Sequence, residues 1–394
     1  MELVPWERLP IIRPMIGLSS GLGPLLPLFP RSWLNRLETH VLPQGFEKVP
    51  SSDQIRSEWS HIRTAFLKQS HYSDLYISPP GKDGATAVKS SLKRTGPMGL
   101  LTDLKAEFFN VFEDPAPECR AWEESVGSNP GTRADDLARA REHGKRIGGL
   151  AVDAVPWNSL DVVISLDLCV PRRILKQHPH ILWVYFPSDP GTPTAKASRR
   201  RPPEGFDVSL SHSHRRFPVR PGLGKKAVEF PYSFQSSFSW DLIWPSDSRR
   251  AGVMVENQTF ARLEPRDRRR LEAFGPIRVP RGSVDEVAGG LRSSKYYLRL
   301  GGGPLTGNGQ IEAVMSGALA LGDPQTFVQR SLFTPATIAP TLKQAMDKIA
   351  RWERSPELYR KDRKEQLTIA EFVCFRRPAC HLLSLYRKKR GRQT

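Results

Sequence analysis

The stretch Leu300-GGGPLTGNGQIEAVMSGALALGD-Pro324 decides how this chain is read. Five glycines fall between Gly301 and Gly309, immediately before a segment with helical spacing and a short apolar run, Ala318-Leu-Ala-Leu321. A glycine-rich loop between a strand and a helix lets backbone N–H groups approach an anion. It can equally be a plain strand-to-helix turn. The flanking sequence has to decide.

Upstream, Lys295-Tyr-Tyr-Leu-Arg-Leu300 reads as the strand that feeds the loop, and Gln310 to Ser316 as the helix that leaves it. Gly252-Val-Met-Val-Glu256 and Pro276-Ile-Arg-Val279 are strand-like, and Glu264 to Phe274 and Val284 to Leu291 are helical. This alternation predicts a parallel sheet with crossover helices. Four earlier runs repeat the texture: Leu160–Leu166, Ile181–Phe186, Phe206–Leu210 and Ala227–Phe230. They are almost continuously apolar, as parallel strands covered on both faces are. A short helix fits Pro171 to His178 between the first two. The expected fold class is therefore α/β, with two parallel, Rossmann-like sheets and an irregular N-terminal extension.

The expected division is an arm over 1–50, a first domain over 51–232, a second over 233–375, and a returning helix with a basic tail over 376–394. Helical spacing is also read at Asp53–Leu67 (Ile55, Trp59, Ile62, Phe66, Leu67), at Leu100–Phe112 and at Thr132–Ile147. Two long helical stretches, Ile338–Arg354 and Pro356–Phe375, close the second domain, with Pro356 restarting the helix.

In open α/β sheets ligands bind beyond the carboxyl ends of the strands. In the first half those ends carry polar residues: Asp167, Asp189, His212 with His214, and Tyr232. Asp189, His212 and His214 are the candidate general bases, because activating a hydroxyl needs a carboxylate or an imidazole within hydrogen-bond reach. A turn-forming Asp between prolines and loop histidines are the plainer alternatives. Tyr232 is read as hinge packing.

The glycine loop departs from two familiar phosphate loops. Gly307-x-Gly309 is followed by Glu312 where a dinucleotide fingerprint has its third glycine, and no Gly-Lys-Ser/Thr is present. The run Gly307-Asn-Gly-Gln-Ile-Glu312-Ala-Val-Met-Ser-Gly-Ala318 instead resembles the donor-site segment of GT-B glycosyltransferases. That resemblance covers roughly 155–385. It implies two Rossmann-like domains facing a cleft, a nucleotide sugar in the second, an acceptor in the first, and a last helix that crosses back. It also implies that Gly303, Gly307, Asn308 and Gly309 approach the donor and that Glu312 holds its hydroxyls. No metal or other cofactor is implied. Many retaining members carry a further glutamate where Pro304 stands, so the stereochemical outcome is left open.

The chain has 394 residues and a formal charge of +18, from 59 Lys and Arg against 41 Asp and Glu. Such a surface attracts anionic partners of several kinds. Arg199–Arg201 and Arg268–Arg270 are read as solvated faces, and the tail Arg387–Arg392 as a disordered segment and candidate contact for anionic lipid. Nucleic acid is not the expected partner, since no recognised motif accompanies the charge. Cys119, Cys169, Cys374 and Cys380 are few and scattered, which fits a reducing compartment and packing roles. The most apolar N-terminal piece, Pro10 to Pro30, is broken by Arg13 and five prolines, so no secretory core is read there and a cytoplasmic location is expected. The expected activity is transfer of a sugar from a nucleotide donor to an acceptor hydroxyl on a glycan, lipid, protein or metabolite. The rivals are a Rossmann-type enzyme using NAD(P) and a basic non-catalytic nucleic-acid-binding or scaffold protein.

Overall fold

The computed structural model describes residues 49–69, 76–77, 88–89, 104–111, 151–166, 170–186, 202–211, 227–229, 250–281, 284–301, 309–324 and 332–392. Its elements, in chain order, begin with helix α1 (Ser52–Trp59), strand β1 (Thr64–Gln69), the short antiparallel pair β2 (Tyr76–Ile77) and β3 (Val88–Lys89), and β4 (Glu107–Val111). Then come β5 (Val162–Leu166), α2 (Arg172–Gln177), β6 (Leu182–Phe186), β7 (Val208–Ser211) and β8 (Ala227–Glu229). The second half holds β9 (Val253–Val255), α3 (Asn257–Arg262), α4 (Pro265–Glu272), β10 (Ile277–Arg278), α5 (Val284–Ser293), β11 (Tyr296–Arg299), α6 (Gly309–Met315) and β12 (Leu319–Gly322). Three helical stretches finish the chain: α7 (Leu342–Arg354), α8 (Pro356–Glu371) and α9 (Arg377–Arg390), the last two joined by a π-helical turn over Phe372–Arg376.

Among the described residues two larger sheets form beside the antiparallel β2-β3 pair, both entirely parallel. The first has six strands in the order β4-β1-β5-β6-β7-β8, the second four in the order β10-β9-β11-β12. The α/β class with two parallel sheets is thus as expected. The four strands read in the first half are all present, and β1 and β4 extend them.

Two regions read as helical prove otherwise. The helical spacing from Ile55 to Leu67 splits into α1, a turn and β1. Ile55, Trp59, Ile62 and Phe66 do share one core, but the turn brings Trp59 Nε1 onto Thr64 Oγ1 (2.7 Å) and β1 then pairs in register with β5, Phe66 opposite Ile164. The Leu100–Phe112 stretch contains β4, an edge strand whose pairing with β1 outweighs its local periodicity. Thr132–Ile147 lies outside the described residues, as does the arm over 1–48.

Each sheet alternates its side chains between two cores. In the first sheet Leu182, Val184 and Phe186 face one cluster, while Trp183 and Tyr185 face another with Trp157 and Phe206. In the second, Val253, Val255, Tyr296 and Leu298 pack on α7, with Tyr296 stacked on Trp352 at 5.9 Å. Met254 and Tyr297, on the opposite face, join Ile311 and Val314 of α6 in the same cluster that lines the first sheet. The two sheets therefore share one core, completed by Ile369 and Ala370 of α8, Phe372–Phe375, and Leu382 and Leu383 of α9.

The helix that returns to the first half does so for a local reason. Pro378 has no N–H to continue an i→i−4 ladder, and the wide π turn before it absorbs the break. Arg376 there donates to Pro50 O (2.9 Å) and Val49 O (2.7 Å), and Ser52 donates to Glu371. Beyond, α9 lies on the first sheet. Lys389 Nζ bridges Asp207 Oδ2 and Ile181 O, both at 2.5 Å, Tyr386 donates to Asp161 Oδ1 (2.8 Å), and Arg387 pairs with Glu58 (2.6 Å). The basic tail is therefore not a disordered segment: it is helical through Arg390, and much of its charge is spent on docking. Cys374 is fully buried in the shared core, as a packing cysteine is. Among the described residues no helix is long and apolar enough to cross a membrane.

Candidate functional site

The carboxyl ends of β9 and β11 lie side by side, with Leu298 opposite Val255, and both strands end in polar residues. Glu256 follows β9 and caps α3, its carboxylate accepting from Gln258 N (3.0 Å) and Thr259 N (3.3 Å). A carboxylate at this position matches the positive end of a helix. One turn into α3, Thr259 Oγ1 accepts from Leu300 N (2.9 Å) and donates to Leu300 O (3.2 Å). The hydroxyl thus ties α3 to the residue from which the glycine loop departs.

That tie decides where Arg262 goes. Three residues beyond Thr259, it lies on the same face of α3. Gly301 has φ +64°, a left-handed conformation that glycine adopts without strain. A Cβ there would lie 3.4 Å from Arg262 Nη1. Arg262 is exposed, and among the described residues no carboxylate pairs with it. A guanidinium therefore stands beside Gly301, where the glycine loop begins, with no carboxylate partner among the described residues. Sequence reading missed it, because nothing short of the hydrogen bonds at Thr259 links α3 to Gly301.

At the loop's other end, α6 starts at Gly309. A Cβ on Gly309 would come within 2.7 Å of Tyr297 Oη, so a side chain is excluded where the helix start crosses β11. Tyr297 is 3% exposed, and its hydroxyl is pushed far above the usual phenol range, first by burial and then by the negative charges of Glu256 and Glu312; Arg299 opposes them. It remains protonated, a neutral hydroxyl that feels the charge of both carboxylates. Arg299, two residues along the same strand, is drawn down by burial and held up by Tyr297 and Glu256. Glu312 is 1% exposed, deep in the first turn of α6, and so is not a solvent-facing helix-start acid. A carboxylate this deep has to be matched by donors.

Of the residues nominated from the sequence, Gly309 and Glu312 come together on α6, with Tyr297, Glu256 and Arg299 as neighbours that the pattern did not reveal. Gly303, Gly307, Asn308 and Pro304 lie outside the described residues. So do Asp167, Asp189, His212, His214, Tyr232 and Arg199–Arg201. The strands that precede Asp189 and His212, β6 and β7, are parallel neighbours. Arg268 is not simply a solvated charge: it lies 4.4 Å over the Phe260 ring and donates to Leu263 O (3.2 Å), whereas Arg269 and Arg270 are exposed.

No protein-family model and no curated protein sequence matches the chain. Among solved structures it is similar to HepE from Anabaena in complex with UDP-glucose, at 10% identity and TM-score 0.42, over 84% of this chain and 100% of that one. It is similar to a glycosyltransferase from Rickettsia africae at 9% identity and TM-score 0.41, over 83% and 98%. T4 phage β-glucosyltransferase in complex with UDP-glucose follows at 9% identity and TM-score 0.37, over 83% and 99%.

Proposed function

We propose that this chain is a metal-independent glycosyltransferase that takes its sugar from a nucleoside-diphosphate donor. The observation that carries the reading is Arg262, an exposed guanidinium with no carboxylate partner among the described residues, beside left-handed Gly301 on a helix that Thr259 ties to Leu300. A planar fork of N–H donors matches a phosphate edge, and the loop from Gly301 to Gly309 supplies backbone N–H groups to the same charge. In transfer, negative charge builds on the departing diphosphate, and a fixed cation aimed at it lowers the barrier.

The other residues take roles consistent with that one. Glu312 and Tyr297, packed at the start of α6, offer an acceptor and a donor for ribose or sugar hydroxyls. Asp189, His212 and His214 remain the proposed bases for the acceptor hydroxyl. In this reading residues 233–375 hold the donor, 51–232 hold the acceptor, and α9 links the two halves.

A panel of UDP, GDP, dTDP, NAD and S-adenosylmethionine, scored by thermal shift, tests this reading. Stabilisation by one or more nucleoside diphosphates is expected, because a ligand that binds only the folded chain raises its melting temperature. Stabilisation by NAD alone would replace transfer with a redox activity.

A further inference from the structure

At the amino-terminal end of the second sheet, away from the glycine loop, a second pair of cations converges. Arg250 lies three residues before β9. Its Nη1 donates to Leu291 O and Ser294 O, both at 3.2 Å, and its Nη2 donates to Ser316 O. These carbonyls lie at the ends of α5 and α6, where negative helix charge collects. Arg250 thus finds acceptors on one side only, and its Nε is buried without one.

Arg363 of α8 brings a second guanidinium to the same spot. A Cβ on Gly317 would lie 2.6 Å from Arg363 Nη2 and 2.9 Å from Arg250 Nη2. Gly317 is left-handed (φ +92°), and its missing side chain leaves the room that both guanidiniums enter. Arg363 Nε is also buried without an acceptor, and among the described residues no carboxylate pairs with either arginine. Two like charges at this range repel. Burial, with the charge of Arg363 added, draws Arg250 down to about 10. Tyr359, alongside both, already gives its hydroxyl proton to Lys295 O (3.2 Å) and offers no counter-charge.

Two converging guanidiniums with no carboxylate partner among the described residues, each with an Nε that lacks an acceptor, present the complement of a tetrahedral oxyanion, whose oxygens accept from two forks at once. We propose that Arg250 and Arg363 bind a free tetrahedral oxyanion of the phosphate or sulfate class at the end of the second sheet remote from the glycine loop. The buried Nε groups select a small free ion over a polymer or a membrane surface. The site stands independently of the glycosyl-transfer reading.

The test is calorimetric titration of inorganic phosphate into the full chain and into its Arg363→Gln and Arg262→Gln variants. Arg363→Gln is expected to weaken binding at least about tenfold, the loss of one charged hydrogen-bonding partner, while Arg262→Gln keeps a phosphate site. No binding by the parent chain, unchanged binding by Arg363→Gln, or binding lost only in Arg262→Gln would overturn the proposal. In phosphate-free buffer Arg363→Gln is expected to melt no lower than the parent, since it removes a like-charge neighbour. A lower melting point there would make Arg363 a purely structural residue and would equally overturn it.

Discussion

Gly309→Ala puts the geometry of the glycine-loop exit to a quantitative test. The new Cβ would meet Tyr297 Oη at 2.7 Å, closer than side-chain carbons tolerate, and Tyr297 is too deeply packed to swing away. Forcing an extra methyl into a filled core costs about 1–3 kcal/mol. Against this, replacing glycine by alanine in a helix gains up to about 1 kcal/mol, less at a first position. The net expectation is a loss of about 1–2 kcal/mol. The Tyr297→Phe background then supplies the control. With the hydroxyl gone, the nearest ring atom, Cζ, lies 3.5 Å from the same point, an ordinary contact. Gly309→Ala should there be neutral or stabilising, a coupling of about 1–3 kcal/mol between two touching sites. Urea-unfolding midpoints of the four proteins measure it. Equal effects of Gly309→Ala in both backgrounds would refute the placement of α6 against β11.

Other perturbations follow from contacts already described. Asp207→Ala removes the acceptor of both Lys389 Nζ (2.5 Å) and Trp183 N (2.9 Å), and should cost about 1–3 kcal/mol in urea unfolding. Salt should screen only part of that loss, because the Trp183 bond is to backbone. Gly317→Ala, at φ +92°, is expected to lose about 1–3 kcal/mol in the same measurement from left-handed strain. Tyr386 is raised to about 12, by burial first and then by its hydrogen bond to Asp161. Its folded value lies above its unfolded one, so its contribution is complete below about pH 10 and is lost as pH climbs towards 12. Tyr386→Phe should flatten the fall in stability across that window, as read from melting temperature against pH.

The parts of this molecule that were legible in sequence are those where one local signal sufficed. Strands β5 to β9, β11 and β12 are short, apolar and bounded by polar turns, and buried parallel strands produce that pattern whatever surrounds them. Strand β1 was hidden because Ile62 and Phe66 continue the helical spacing of Ile55 and Trp59. Both readings deliver the same residues to the same core, and only pairing with β5 distinguishes them. Strand β4 lies at a sheet edge, where local periodicity says least. The tail looked disordered because its charge run was read alone; its partners Glu58, Asp161 and Asp207 lie far away in sequence.

The site divides in the same way. Gly309 and Glu312 belong to one contiguous motif, and their place on the helix after the glycine loop was legible. Tyr297 and Arg262 matter through register and through one threonine hydroxyl, which no spacing encodes. Glu312 was placed on the correct helix, but its burial depends on how α6 packs into the shared core.

The most direct test of the central claim is calorimetric titration of the nucleoside diphosphates UDP, GDP and dTDP into the parent chain and its Arg262→Gln variant. At least one should bind the parent, and Arg262→Gln should bind it about tenfold or more weakly while melting normally, as expected for loss of a charged hydrogen bond to phosphate. Undiminished affinity in the variant would contradict the account, as would a parent chain that ignores all three.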